Sequence, residues 1–261
     1  GSRADLSTPA QRGANRRCRG STAAVREHKT MNEDRIENIK ACVFDAYGTL
    51  LDFNSAVMMC ADEIGDEAAR LSDLWRQKQL QYTWLRSLMG QHADFWQVTG
   101  EALDFSLAAL QIDKPDLRSR LMDLYRVLEA FPEISETLRR LKAGGMRTAI
   151  LSNGSPEMLQ AAVDHNGLND LLDDIQSVED VGVFKPDPRI YQLSVDRLGV
   201  AKENICFMSS NGWDAAGAAA FGFKVVWINR YRQPVEHLPV TPDREIDTLT
   251  PLPGILRLGP A

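Results

Sequence analysis

Along the chain, short apolar runs alternate with longer stretches in which apolar residues recur every three or four positions. The first run, Ile39-Lys40-Ala41-Cys42-Val43-Phe44, ends at Asp45 and is followed by Ala46-Tyr47-Gly48-Thr49. It reads as a buried strand closed by a sharp turn, with Asp45 at the strand's carboxyl end. Strand-sized runs recur at 147–151, 204–208 and 224–228. Between them lie helix-period segments. One covers 156–166, with Ser155 at the N-cap and Pro156 at the first helical position; another covers 187–198, following Pro186 and stopping at Gly199. This alternation predicts an α/β fold with a parallel sheet covered by helices on both faces, and ligands at the carboxyl ends of the strands.

Residues 55–130 break the alternation and show only helical periodicity, through Leu71, Trp75, Leu80, Trp84 and Leu88, then Leu103, Leu107 and Leu110, then Leu121, Leu124 and Leu128. The expected organisation is therefore a core built from 36–54 and 131–250, with a helical cap, 55–130, inserted after the first strand. Such a cap would roof the strand ends and exclude water there.

Composition narrows the functional classes. The formal net charge is −6, but residues 1–30 carry six Arg and one Lys against Asp5 and Glu27, a net of +5 that leaves −11 on the remainder. An acidic body without a basic stripe argues against nucleic acid as a partner, which requires clustered Lys and Arg. Residues 1–30, rich in Arg, Ser, Ala and Gly, read as a disordered leader; a transit peptide has this composition, and so does a cloning remnant joined to an over-long start before Met31. Cys18, Cys42, Cys60 and Cys206 show no metal-ligand spacing and are expected to be reduced. No uninterrupted apolar run approaches the roughly 18 residues a membrane span needs, so the expected setting is cytoplasmic, with no membrane partner.

Four stretches fall at strand ends in chain order: Asp45-Ala46-Tyr47-Gly48-Thr49, Leu151-Ser152-Asn153-Gly154, Phe184-Lys185-Pro186-Asp187 and Ser209-Ser210-Asn211-Gly212-Trp213-Asp214. Together they resemble the four signature motifs of the haloacid dehalogenase superfamily, over about residues 39–230, which implies a Rossmann-like core. Phosphatases of that superfamily look like Asp-x-Asp-x-Thr in the first motif, where the second Asp protonates the leaving alkoxide; here that position is Tyr47. The paired acids that hold magnesium in the fourth motif are reduced to Asp214, with Ser210-Asn211 beside it. The two losses belong together chemically. Phosphoryl transfer wants a proton donor and a cation, whereas a halide leaves without protonation and a singly charged carboxylate can be held by hydroxyls, N–H groups and one cationic side chain. The segment from Leu74 to Met89, Leu-Trp-Arg-Gln-Lys-Gln-Leu-Gln-Tyr-Thr-Trp-Leu-Arg-Ser-Leu-Met, resembles the cap helix of L-2-haloacid dehalogenases.

That resemblance implies hydrolysis of short L-2-haloalkanoic acids to D-2-hydroxyacids with inversion, through an aspartyl ester and without a cofactor or metal. The partners implied are the 2-haloacid and a halide ion, and a second copy of the chain in a homodimer. Asp45 would be the nucleophile, Thr49 its orienting hydrogen-bond partner, and Arg76 the acceptor of the departing halide. Arg86, ten residues further along a helix, lies some 80° away around its axis and is expected to face elsewhere. Ser152 and Asn153 would hold the substrate carboxylate, helped by the amino end of the helix starting at Pro156. Lys185 would keep Asp45 ionised, with Tyr191 in the same region. Ser209, Asn211 and Asp214 would serve ester hydrolysis, Asp214 either paired to Lys185 or positioning water. Ala46, Tyr47, Gln77, Leu80, Phe95 and Trp213 would line the pocket. His28, His92, His165 and His237 fall outside every motif, and His165 reads as a helix-capping residue. The alternatives are a phosphatase or phosphonatase of the same superfamily, recognised by magnesium-dependent phosphate release, and a catalytically retired binding protein, which turnover would dismiss.

Overall fold

The computed structural model describes residues 36–258; the leader at 1–30 and Cys18 lie outside the described residues. Six parallel strands run in the order β3-β2-β1-β4-β5-β6: β1 (Ala41–Phe44), β2 (Arg147–Ser152), β3 (Asp174–Ser177), β4 (Ile205–Ser209), β5 (Lys224–Ile228) and β6 (Arg244–Ile246). The order reverses at β1, so a crevice opens between the carboxyl ends of β1 and β4. β1 is apolar and fully buried because it is sandwiched between neighbours on both edges and covered on both faces. The expected strands at 39–44, 147–151, 204–208 and 224–228 are present within two residues of their bounds.

Between β1 and β2 the chain forms α1 (Ser55–Met58), α2 (Ala61–Ile64), α3 (Ala68–Met89), α4 (Phe95–Ala109) and α5 (Leu117–Arg126), followed by α6 (Ile134–Ala143). The remaining helices are α7 (Pro156–His165), α8 (Pro188–Leu198), α9 (Gly212–Phe221) and α10 (Leu252–Ile255). Right-handed crossovers place α6 and α7 on one face of the sheet and α8 and α9 on the other, in keeping with the packing of α8 on α9 and of α6 on α10. In the inserted segment, α3 buries Leu71, Ser72, Trp75, Gln79 and Thr83, a stripe with spacings of three and four, against α4. The Trp75 indole donates to the Thr99 carbonyl at 2.9 Å and pins the two helices in register. None of the described helices is long and apolar enough to cross a membrane.

Two helix starts differ in chemistry. The Asp187 carboxylate caps α8 by accepting from the Arg189 N–H at 3.0 Å. Ser155 has the extended backbone of an N-cap, yet its side chain makes no capping bond to α7. At the turn after β1, Gly48 takes φ +89°, where a Cβ would lie 2.9 Å from Ser210 Oγ and 3.2 Å from Phe53. Only glycine fits this position without strain. The turn folds back so that the Ala46 carbonyl accepts from the N–H groups of Leu50 and Leu51 at 2.9 and 3.0 Å, which returns Thr49 over Asp45.

Candidate active site

At the crevice, one buried carboxylate collects donors from the turns after β1 and β4 and from the loop between β3 and α8. The backbone N–H of Asp45 continues the β1–β4 ladder by donating to the Met208 carbonyl at 2.9 Å, fixing where the side chain starts. Asp45 Oδ1 accepts from Lys185 Nζ at 3.1 Å; Oδ2 accepts from Thr49 Oγ1 at 3.1 Å and from Asn211 Nδ2 at 3.0 Å. Lys185 is 1% exposed and also donates to Asp214 Oδ2 at 2.9 Å, so a single ammonium serves two buried carboxylates. Burial on its own lowers the Lys185 ammonium, but the two carboxylates outweigh it and hold its pKa above the ordinary lysine value. Burial pushes the Asp214 carboxyl up, assisted by the Asp45 charge and opposed by Lys185.

Tyr191 donates to Asp214 Oδ1 at 2.8 Å and is packed among Phe207, Phe221 and Phe223, so it reaches Asp45 only through Asp214. Ser209 is fully buried, its Oγ accepting from the Asn211 N–H at 3.2 Å and setting the turn that aims Asn211 at Asp45. Ser152 Oγ accepts from the Gly154 N–H at 3.1 Å, while Asn153 Oδ1 accepts from the Lys185 N–H at 3.1 Å and ties β2 to the lysine-bearing loop.

From the inserted helices, Arg76 reaches down to this cluster. Its Nη2 donates to Asn211 Oδ1 at 3.2 Å and lies 3.4 Å from the Tyr47 carbonyl, and its guanidinium carbon sits 5.1 Å from the centre of the Phe53 ring. Arg86 instead pairs with Glu101 at 2.6 Å, as its angle around α3 requires. The Tyr47 ring packs on Phe95 and Tyr125, each with centroids 5.5 Å away. Its hydroxyl is buried with no hydrogen-bond partner, and burial holds the phenol well above its ordinary pKa, so it stays a neutral donor. Gly154 lets this ring approach: a Cβ there would lie 2.8 Å from Tyr47 Cε2. Ala46 is fully buried in the turn, and Phe95 is buried against Tyr47 and Phe184.

A cavity of about 800 Å³ opens on the Arg76 and Asn211 side, walled by Leu80, Trp213, Trp227, Tyr231 and the segment 233–238. Gln77 is exposed and makes no hydrogen bond to these groups; at 100° per residue it lies two positions, or 200°, from the buried face that carries Gln79. Among the described residues the histidines stay outside the carboxylate cluster: His92 pairs with Glu179 at 2.9 Å, His165 with Glu129 at 3.0 Å rather than capping α7, and His237 lines the outer cavity, while His28 lies outside the described residues.

Several neighbours of the cluster have no counterpart in the sequence reading. Gln79 and Tyr125 contact Arg76 or each other, Ser210 donates its N–H to Thr49 Oγ1 at 2.7 Å, and Arg230 donates to the Thr49 carbonyl at 2.8 Å while pairing with Glu133 at 2.7 Å. For Gln79 a signal existed, an amide spaced four residues from Trp75 on the apolar stripe of α3. Arg230, just past the end of β5, stood at a strand's carboxyl end, whereas nothing in the sequence links Tyr125 to Arg76.

Comparison with known proteins agrees with this arrangement. A family model described as haloacid dehalogenase-like hydrolase matches residues 39–222. The (S)-2-haloacid dehalogenase 1 of Pseudomonas sp. (strain CBS-3) is 50% identical over 222 residues, covering 85% of this chain and 98% of the relative. The (S)-2-haloacid dehalogenase 4A of Burkholderia cepacia is 51% identical over 218 residues, covering 83% and 94%. The structure of the L-2-haloacid dehalogenase from Xanthobacter autotrophicus with chloropropionic acid covalently bound superposes with a TM-score of 0.78 at 37% identity, covering 83% of this chain and 98% of that one. The chain belongs to the haloacid dehalogenase-like hydrolases, in the branch of the (S)-2-haloacid dehalogenases.

Proposed function

We propose that the protein hydrolyses short L-2-haloalkanoic acids to D-2-hydroxyacids, with Asp45 as the nucleophile. The observation that carries this reading is the donor count on Asp45: Oδ2 takes two hydrogen bonds and Oδ1 only one, leaving a lone pair on Oδ1 in a site that holds Tyr47 where a phosphatase keeps its acid. Oδ1 attacks the α-carbon opposite the halogen, the carbon–halogen bond breaks, and the halide departs with the bonding pair toward Arg76. The substrate carboxylate lies by Ser152, Asn153 and the amino end of α7, whose ten residues direct free N–H groups and the helix dipole at it. Tyr47, Leu80, Phe95 and Trp213 form the wall around the α-substituent.

In the second half, water adds to the Asp45 carbonyl carbon, polarised by Asn211, and its proton passes to Asp214, whose proton affinity burial has raised. The bond between that carbon and the ester oxygen breaks, the departing alkoxide takes the second water proton while Asp214 gives the first to solvent, and the hydroxyacid leaves with an oxygen that began on Asp45. Thr49 and Lys185 keep the regenerated carboxylate in place. No metal or cofactor enters these steps. A homodimer joined through Leu85, Leu88 and Met89, exposed at the end of α3, and a cytoplasmic setting complete the reading.

The test is halide release from each enantiomer of 2-chloropropionate, with and without EDTA, alongside phosphate release from a phosphomonoester with magnesium. The expected result is chloride from the (S) enantiomer alone, undiminished by EDTA. Magnesium-dependent phosphate release without halide release would establish the phosphatase alternative instead.

A further inference from the structure

Arg76 is held from the side opposite the carboxylate cluster by a group that the halide reading does not itself require. Gln79, 1% exposed, lies one helical turn along α3, and its Oε1 accepts from Arg76 Nη1 at 2.7 Å. The amide has only one workable orientation. Thr99 Oγ1 spends its proton on the Phe95 carbonyl at 2.6 Å, so it meets Gln79 as an acceptor and the Gln79 Nε2 donates to it at 2.7 Å. The carbonyl oxygen must then face Arg76. Tyr125 closes the bracket, its hydroxyl 3.1 Å from Nε2 and 3.2 Å from Oε1 of Gln79. Phe53 lies against the guanidinium 5.1 Å from its centre, leaving Nη2 directed at Asn211.

We infer that Gln79 is a positioning residue that fixes the direction of the Arg76 guanidinium and so sets how the site discriminates among leaving halides. The inference rests on the proposed role of Arg76. A flexible arginine with one free end has many rotamers, and orienting it in advance removes the reorganisation otherwise required as charge develops on the halogen. Chloride concentrates that charge on a smaller atom than bromide and forms from a stronger carbon–halogen bond, so it depends more on a correctly aimed guanidinium.

The experiment compares kcat/KM, which reports the steps up to halide departure, for (S)-2-chloropropionate and (S)-2-bromopropionate in wild type, Gln79→Met, Tyr125→Phe and Arg76→Lys. The ratio of the two substrates in one preparation is independent of the fraction of enzyme folded, so a loss of stability in the buried variant does not enter. Gln79→Met should lower kcat/KM for the chloride by about 10- to 100-fold and for the bromide by markedly less, shifting the ratio by roughly tenfold. Tyr125→Phe leaves the bonds of Gln79 to Thr99 and Arg76 intact and should shift the ratio less than about threefold. A ratio unchanged in Gln79→Met while Arg76→Lys shifts it overturns this inference alone. A ratio unchanged in both overturns the halide role of Arg76 with it. An equal shift in Gln79→Met and Tyr125→Phe assigns the effect to general loosening of the helix pair and also overturns the inference.

Discussion

Asp45→Asn should abolish halide release, with a loss of at least about 10⁴-fold in kcat while the fold is kept. An amide nitrogen has no lone pair available for displacement, and an amide oxygen is a far weaker nucleophile than a carboxylate. The surroundings make the loss worse. Every neighbour of the carboxylate is a donor: Lys185 Nζ, Thr49 Oγ1 and Asn211 Nδ2. Whichever way the asparagine turns, its own N–H₂ meets at least one of them, so the side chain is forced off its attack direction. An ion-selective electrode for the halide and circular dichroism for the fold separate this outcome from unfolding; a folded variant that retains substantial turnover would remove Asp45 from the chemistry.

The second large effect is expected from Lys185→Met, which removes the ammonium that faces both buried carboxylates. Breaking a buried pair by deleting one partner costs about 3–5 kcal/mol, and here two partners are stranded together. Activity should fall with stability, since Asp45 loses its donor on Oδ1. The pH dependence carries a sign that can be checked. Asp214 already sits above its ordinary pKa through burial, and losing the cation raises it further. A carboxyl whose folded pKa lies above its unfolded value favours the protonated folded state. Its penalty is absent below the unfolded pKa and grows as pH rises through the folded pKa. The variant should therefore melt higher at pH 5 than at pH 8. Melting curves across that range test it, and a variant that gains stability toward pH 8 would contradict the shared-cation description.

How much of this was written in the sequence depended on how much of each signal was local. β1, β2, β4 and β5 stood out as apolar runs because they lie inside the sheet, whereas β3, Asp174-Ile175-Gln176-Ser177, and β6, Arg244-Glu245-Ile246, are edge strands with polar side chains and were not foreseen. The buried polar members of β3 are satisfied by distant partners, Ser194 Oγ lying 2.5 Å from Gln176 Oε1 and Ser177 Oγ donating to the Gly154 carbonyl at 2.6 Å. No periodicity announces such pairings. The residues around Asp45 were legible for the opposite reason. Thr49, Lys185, Asn211 and Asp214 each belong to a short stretch after an apolar run or in a strand-to-helix loop, and the sheet order brings those stretches together.

The residues that hold Arg76 were harder to read. Gln77 and Gln79 sit two positions apart in one polar-looking run; helical spacing from Trp75 sets the second on the buried stripe, but its partner Thr99 comes from α4 and is not legible locally. Tyr125 meets Gln79 across 46 positions of sequence, a contact that exists only once α5 has packed against the other inserted helices. Arg230 and Glu133, which brace the Thr49 turn from the far end of the chain, form their pair through the same kind of tertiary closure.

The most direct test of covalent displacement by Asp45 is a single turnover in water enriched in oxygen-18, with enzyme in excess over (S)-2-chloropropionate, followed by mass spectrometry of both the hydroxyacid and the peptide containing Asp45. Oxygen-18 in the Asp45 peptide, with a hydroxyacid that carries the ordinary isotope, is the predicted result. Oxygen-18 in the first-turnover hydroxyacid, with none in the peptide, would mean that water attacks the substrate directly and would contradict it.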